Sequence, residues 1–495
     1  MIIETNLRRT AGAVLAAAAV IAGPSYARDF AFVREPAPEL EKPGALANAW
    51  GDYDGDGWLD LAVGFKDGQV ILMRNLGGRF VSGPILDAGG PDARALAWGD
   101  YDGDGRLDLY VGTSANPRHR NRLFRNEGAG RFAEVGQELG VAPPEASTRQ
   151  VAWIDFDNDG DLDLFVAQRA GANQLFRNDG GRFVDIAPSL GLADPRKSVG
   201  ACWFDFDQDG DLDLFVANQA GDRDGFFRND GERFVDVAEE LGLTPLDRPA
   251  TEGSVGCAVA DYDNDGRLDL FVAAYGPNRL HRNRGDGTFE EVAGGAGIVG
   301  DEHHVAGAFA DIDHDGWQDL YVTTFRTPDP ALADLLYRNL GGRFDSALPE
   351  ALAAPGADHG VQWADFDGDG ALDLALTHND NQVGGARIYR NVSSGARERR
   401  SLRIAPLDAS GRSLAPGAEV RVFGADGRLL GARIVDTGGG YNSQSASPVH
   451  LAVGDASAVT VEATYLTAAG RRVVRRTIDP QEFAGSVLQI RAPAP

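Results

Sequence analysis

The pattern Asp-x-Asp-x-Asp-Gly-x-x-Asp occurs seven times, starting at Asp52, Asp100, Asp155, Asp205, Asp261, Asp311 and Asp365. Every copy keeps all four aspartates, and successive copies start 48 to 56 residues apart. A unit of that length cannot bury its own apolar face and must stack on its neighbours, so the repeat decides the fold. Each loop follows an apolar strand that carries Trp50, Trp98, Trp153, Trp203, Val259, Phe309 or Trp363 two positions before it. A second alternating strand follows at once, as in Leu59-Asp60-Leu61-Ala62-Val63, with Asp60 turned back toward the loop.

Each repeat then carries an Arg-Asn pair: Arg74-Asn75, Arg125-Asn126, Arg177-Asn178, Arg228-Asn229, Arg282-Asn283, Arg338-Asn339 and Arg390-Asn391. In six of them a Gly-containing turn and a Phe follow, the mark of a third strand, a hairpin turn and a fourth strand. Four strands per unit predict an all-β fold, a seven-bladed β-propeller over residues 28–397. The seventh copy breaks off after Asn391, and Asp29-Phe30-Ala31-Phe32-Val33 resembles the missing strand, with Phe30 matching Phe183. This strand is expected to complete the last blade and close the ring. After about residue 398 the acidic loops stop. Residues 398–495 read as a second, smaller C-terminal β domain, joined through a linker over 393–400.

Four carboxylates within nine residues repel one another unless a cation sits among them. Oxygen ligands with Gly at the sixth position suit Ca²⁺, up to seven ions in all. Positions one, three, five and nine are read as carboxylate ligands, and position seven as a carbonyl ligand. The sets are Asp52, Asp54, Asp56, Trp58 and Asp60; Asp100, Asp102, Asp104, Arg106 and Asp108; Asp155, Asp157, Asp159, Asp161 and Asp163; Asp205, Asp207, Asp209, Asp211 and Asp213; Asp261, Asp263, Asp265, Arg267 and Asp269; Asp311, Asp313, Asp315, Trp317 and Asp319; and Asp365, Asp367, Asp369, Ala371 and Asp373. The fourth position is expected to be left-handed. Gln208 and His314 suit it less well than the Gly or Asn found elsewhere, which predicts weaker fourth and sixth sites. An EF-hand needs Glu at position twelve, where this chain has Val63, Val111, Val166, Val216, Val272, Val322 or Leu376.

The loops and their Arg-Asn turns resemble FG-GAP/VCBS repeats, as in integrin α-subunit propellers. The tail is similar to the ASPIC/UnbV domain of the cartilage acidic protein family, on Gly417-Ala418-Glu419-Val420, Gly438-Gly439-Gly440-Tyr441-Asn442-Ser443-Gln444 and His450-Leu451-Ala452-Val453-Gly454. The Trp-Pro-Ser-Gly-like ending of that domain is absent. The resemblance implies a secreted calcium-binding protein with a binding or adhesion role, and no particular reaction.

Residues 1–27 read as an export signal. Arg8 and Arg9 precede the apolar run Ala11 to Gly23, and Ser25-Tyr26-Ala27 suits cleavage. The paired arginines also suit a twin-arginine route, although Thr10 and Ala11 follow them. The expected compartment is periplasmic or extracellular. No later segment is long and apolar enough for a membrane span. The net charge of −27 argues against a nucleic-acid partner. Cys202 and Cys257 precede Asp205 and Asp261 by three and four residues, offsets that face opposite ways on alternating strands. Export would permit a disulfide, but the alternation favours two separate buried thiols.

The face opposite the loops is the expected ligand side. There His303, His304, His359 and His378 would gather from adjacent blades, near Tyr275, Arg326, Asn379 and Asp380. Four histidines can bind a transition metal or do acid–base work, or simply be solvated loop residues. Arg149, Arg169, Arg196 and Lys197 on the same face suit an anionic glycan, or a wet rim. No HExxH, nucleophile elbow or phosphate loop accompanies them. The leading reading is an exported calcium-binding scaffold for a protein or carbohydrate ligand. The alternative is a lyase- or dehydratase-like enzyme on a polysaccharide or sugar, centred on the histidines.

Overall fold

A computed structural model describes residues 30–493, apart from 115–118, 145–146, 244–247, 301, 326–331, 354–356, 380–383, 394–399 and 413–414. The export signal, Arg326, Asp380 and most of the expected linker lie outside the described residues. The fold is all-β, built of many four-stranded antiparallel sheets. In the first repeat Ala45–Gly51, Asp60–Phe65, Gln69–Asn75 and Phe80–Asp87 pair in chain order. The next five repeats pair their strands in the same order. Helix among the described residues is confined to single turns such as Ala187–Leu190.

The seventh sheet has Asp358–Ala364, Asp373–His378 and Ala386–Asn391 from one end of the chain and Phe32–Glu35 from the other. Phe32 faces Asn391 as Phe183 faces Asn178, so the register lies two residues beyond the Phe30 alignment. A shift of two keeps every side chain on its face, which is why the pairing was legible and its register was not. The first strands touch in cyclic order, with Ala45–Gly51 lying against Asp358–Ala364.

Cys202 and Cys257 form a disulfide, with Cα atoms 6.2 Å apart, and the expectation of separate thiols is corrected. The two side chains do point to opposite faces of their own sheets. The sheets are stacked, however, so the front of one packs against the back of the next. Opposite-facing residues of neighbouring sheets therefore meet in one core, here with Phe204, Phe215 and Val272.

The tail has a three-stranded sheet (Arg400–Leu407, Val449–Gly454, Val487–Arg491) and a four-stranded one built on Glu419–Gly424 and Val459–Tyr465. Leu402, Val420, Leu451, Val461 and Ile490 share its core. Between Ile434 and Val449 the chain leaves this body and runs among the first strands of the repeats. Thr437 Oγ1 donates to the Trp203 carbonyl at 2.6 Å, the Val361 N–H donates to Gly440 at 3.1 Å, and the Leu96 N–H donates to Asn442 at 2.9 Å. Ser443–Gln444 pairs in parallel with Leu96–Ala97. The Gln444 side chain accepts from the Trp153 N–H at 2.6 Å and donates to the Trp153 carbonyl at 2.8 Å. One tail segment thus satisfies backbone groups of several repeats at their common centre.

Candidate metal centres

The loop bends where the sequence permits. All seven fourth positions have φ between 55° and 74°, Gln208 (65°) and His314 (58°) included, and Gly holds φ of 85–106° at the sixth. The backbone then wraps the first aspartate. In the first loop Asp52 Oδ1 accepts from Gly55 at 2.9 Å and Asp56 at 3.1 Å, and its Oδ2 accepts from Gly57 at 2.9 Å. Asp54 Oδ1 accepts from Asp56, and Asp56 Oδ1 from Trp58. Asp60 is fixed from two sides, by the Tyr53 N–H at 3.2 Å and the Asn75 N–H at 2.8 Å.

These bonds aim the free oxygens inward. In Asp52/Asp54/Asp60, Asp100/Asp102/Asp108, Asp155/Asp157/Asp163, Asp205/Asp207/Asp213 and Asp261/Asp263/Asp265, one oxygen per residue lies within 4.8 Å of the others. That is twice a Ca²⁺–oxygen distance, so one ion can touch all three. Burial pushes Asp60 and Asp108 up to about 8 and Asp163 to about 9, against the Asn N–H bond that lowers each. It pushes Asp155, Asp205 and Asp261 to about 7 and Asp365 to about 6, and raises Asp213, Asp269, Asp311, Asp319 and Asp373 well above the carboxylate range. Buried carboxylates crowded like this fit a divalent cation, which would relieve both their desolvation and their mutual repulsion.

The Arg-Asn pair has two functions. Asn75 Nδ2 donates to its own loop at Leu59 and to Phe366 in the seventh loop. Its arginine reaches the acidic residues: Arg74 pairs with Asp54 and Asp56, Arg338 with Asp313 and Asp315, and Arg390 with Asp367. The tail covers the same face. Arg412 donates to Gly160, Arg421 to Gly266, and Ser401 and His450 to Gly370, all sixth-position carbonyl groups of loops. Arg471 goes further and pairs with Asp205 itself at 3.0 Å.

The four histidines have different surroundings. His303 stacks on Tyr275 at 4.3 Å. His304 is buried near Glu302. His359 is buried between Phe325 and Tyr441 and receives the Asn379 amide at 2.9 Å. His378 Nδ1 lies 2.6 Å from Asp358, which also faces Arg387. His304 and Asp358 start their strands where other repeats place Thr148, Ser198 and Ser254. Thr148 bonds Asn121, Ser198 bonds Asn173 and Ser254 bonds Asp224, so this position ties one sheet to the next. Arg196 and Lys197 are held by Asp194, Asp236 and Asp222.

The FG-GAP-like repeat pattern matches residues 52–111, 113–166, 155–216, 205–272 and 261–322, and the FG-GAP repeat matches 93–131. The chain belongs to the FG-GAP repeat family. It is a distant homologue of cartilage acidic protein 1. It is 29% identical to the Mus musculus protein over 280 residues, 54% of this chain and 41% of that one. Against the Homo sapiens protein it is 27% identical over 320 residues, 52% and 46% of the two chains. The FG-GAP chain thus spans about half the length of these relatives. Among solved structures it is similar to an Agrocybe aegerita lectin that recognises non-reducing terminal N-acetylglucosamine (TM-score 0.40, 19% identity, 63% of this chain and 82% of that one). It is also similar to BBS1N from a complex with ARL6 (TM-score 0.45, 11% identity, 73% and 98%).

In the FG-GAP chain the Asp triads were legible from spacing alone. The use of each Asn to bind the preceding loop was not, although its recurrence in all seven copies was the signal. The reach of tail arginines into the loops left no signal in the repeat.

Proposed function

We propose that this FG-GAP chain is an exported calcium-binding scaffold that presents a protein or carbohydrate ligand with the face opposite its loops. The seven sheets would form a closed seven-bladed propeller, with residues 398–495 as a smaller β domain seated over the loops. Each loop would hold one Ca²⁺ through its first, third, fifth and ninth carboxylates. The carbonyls of Trp58, Arg106, Asp161, Asp211, Arg267, Trp317 and Ala371 would complete the sets. The ions would act structurally, since they neutralise buried charge where sheets and tail meet.

The observation that carries this reading is the convergence of buried carboxylate oxygens, copy after copy, on a space one ion fills. Ring closure is supported by Phe32–Glu35 pairing with Ala386–Asn391, and by the cyclic contact of the first strands. Elemental analysis of the purified protein tests it, with calcium near one per loop expected. Chelation should lower the melting temperature by several degrees, because ions that bind only the native state stabilise it. An unchanged melting curve after verified metal removal would sink the proposal.

A further inference from the structure

Each first strand carries a register irregularity near its start, where one residue, or two in the fifth and seventh repeats, falls outside the pairing. Counting six residues back from each loop gives Leu46, Arg94, Arg149, Val199, Val255, Val305 and His359. Fourteen residues after each loop start, where the second strand ends, stand Lys66, Ser114, Arg169, Gln219, Tyr275, Phe325 and Asn379. These two sets surround the end of the tail segment, where Tyr441 packs with Val199, Val255 and Val305 and lies 5.5 Å from His359.

The surround is two-sided. Repeats one to three contribute Lys66, Arg94, Arg149 and Arg169, and repeats four to six contribute valines, Tyr275 and Phe325. In a chain of net charge −27, four cations gathered on one side of Tyr441 are not an average surface. Three of them have partners. Arg94 bonds Ser114 and Asp92, Arg169 bonds Gln219, and Lys66 bonds the Asn379 carbonyl. Arg149 is half-buried, and its enclosed Nη1 makes no hydrogen bond. Burial, with Arg94 adding to it, pushes Arg149 down to about 10. An enclosed guanidinium nitrogen without a hydrogen bond beside other cations is costly, and a bound anion would relieve it.

We propose that this two-sided surround is a binding site for a carboxylate-bearing sugar, a uronate. Its carboxylate pairs with Arg149 and Arg94, and an apolar ring face rests on the Tyr275 side above Tyr441. This rests on the scaffold reading and names the ligand class for that same face. A basic wall opposite an aromatic wall fits a charged sugar ring, whereas a simple anion would use only the first.

The test is calorimetric titration of the calcium-loaded full chain with glucuronate, galacturonate and their oligomers, and with glucose and acetate as controls. Uronates should bind, and glucose and acetate should bind at least tenfold more weakly. Arg149→Gln should cost uronate affinity about tenfold or more with the melting temperature unchanged or raised. Should that variant fold poorly, Arg169→Gln, at the other cation of the same repeat, should show a smaller loss in the same direction. Uronate binding that ignores both substitutions, acetate binding as tight as glucuronate, or no uronate binding by a chain that chelation still destabilises would overturn the site. The last outcome would leave the scaffold reading standing.

Discussion

Asn75 Nδ2 donates to the carbonyl of Phe366 at 2.7 Å, across 291 residues of sequence. The bond is one rung of a closed series. Asn126 reaches Tyr53, Asn178 reaches Tyr101, Asn229 reaches Phe156, Asn283 reaches Phe206, Asn339 reaches Tyr262 and Asn391 reaches Ile312. Every asparagine holds the second residue of the preceding loop, and Asn75 links the first repeat to the last.

Asn75→Ala should therefore destabilise the protein by about 2–3 kcal/mol, because it strands the buried carbonyls of Leu59 and Phe366. Asn229→Ala should cost less, since its bond to Phe156 is 3.4 Å long. Urea denaturation of the calcium-loaded protein checks the order. Equal losses would mean that the ladder bond is not what the asparagine contributes.

How far the sequence reached follows from which physics is local. The Asp-rich loops, strand alternation and the complementary break at Asn391 depend on residues a few positions apart, and all were readable. The Cys202–Cys257 bond was not, because it depends on how one sheet stacks on the next. The tail segment at Gly438-Gly439-Gly440 carried only a resemblance, because glycine runs say that a chain bends and not where it goes. Its role emerges only when Gln150 and Gln362, two buried amides on first strands, are seen to bond Gly438 and Gly439. Arg149 was placed on the ligand face, but its isolation from Arg196 and Lys197 required the structure.

Calcium dependence should change with pH in a defined sense. Burial raises Asp60, Asp108 and Asp163 from an unfolded value near 3.9 to about 8, 8 and 9. A carboxyl raised on folding keeps its proton longer in the native state, so stability falls as pH rises from the unfolded to the folded value. The chelated protein should thus melt lower at about pH 8 than at about pH 5. Calcium needs the ionised form, so the increment it adds should grow over that interval. Calorimetry at both pH values, with calcium and with chelator, reads the crossing. A calcium increment independent of pH would contradict the loop assignment.

The disulfide closes a loop of 55 residues between two repeats. Cys202→Ala with Cys257→Ala should lower stability by about 2–4 kcal/mol through the freer unfolded chain. Calcium content per chain should stay the same, because neither cysteine touches a loop carboxylate. Loss of calcium in the double variant would show that sheet stacking sets the loop geometry.

The fourth loop should be the weakest calcium site, for a reason beyond Gln208. Arg471 Nη1 lies 3.0 Å from Asp205 Oδ2, while its Nη2 bonds Glu419 at 2.8 Å. Asp205 is buried, so the guanidinium acts at short range with little screening, and Arg471 is the main charge that holds its carboxyl down. A divalent ion placed beside the same carboxylate meets that positive charge, which no tail arginine among the described residues brings so near Asp52. Arg471→Gln should tighten one calcium site severalfold and leave the others unchanged, read by calcium titration of the chelated protein. It should also loosen the tail, since Glu419 then keeps only Arg421 as its ion-pair partner among the described residues. A lost site in place of a tightened one would mean that Arg471 positions Asp205 for the ion, and the tail would then complete the fourth centre and not compete with it.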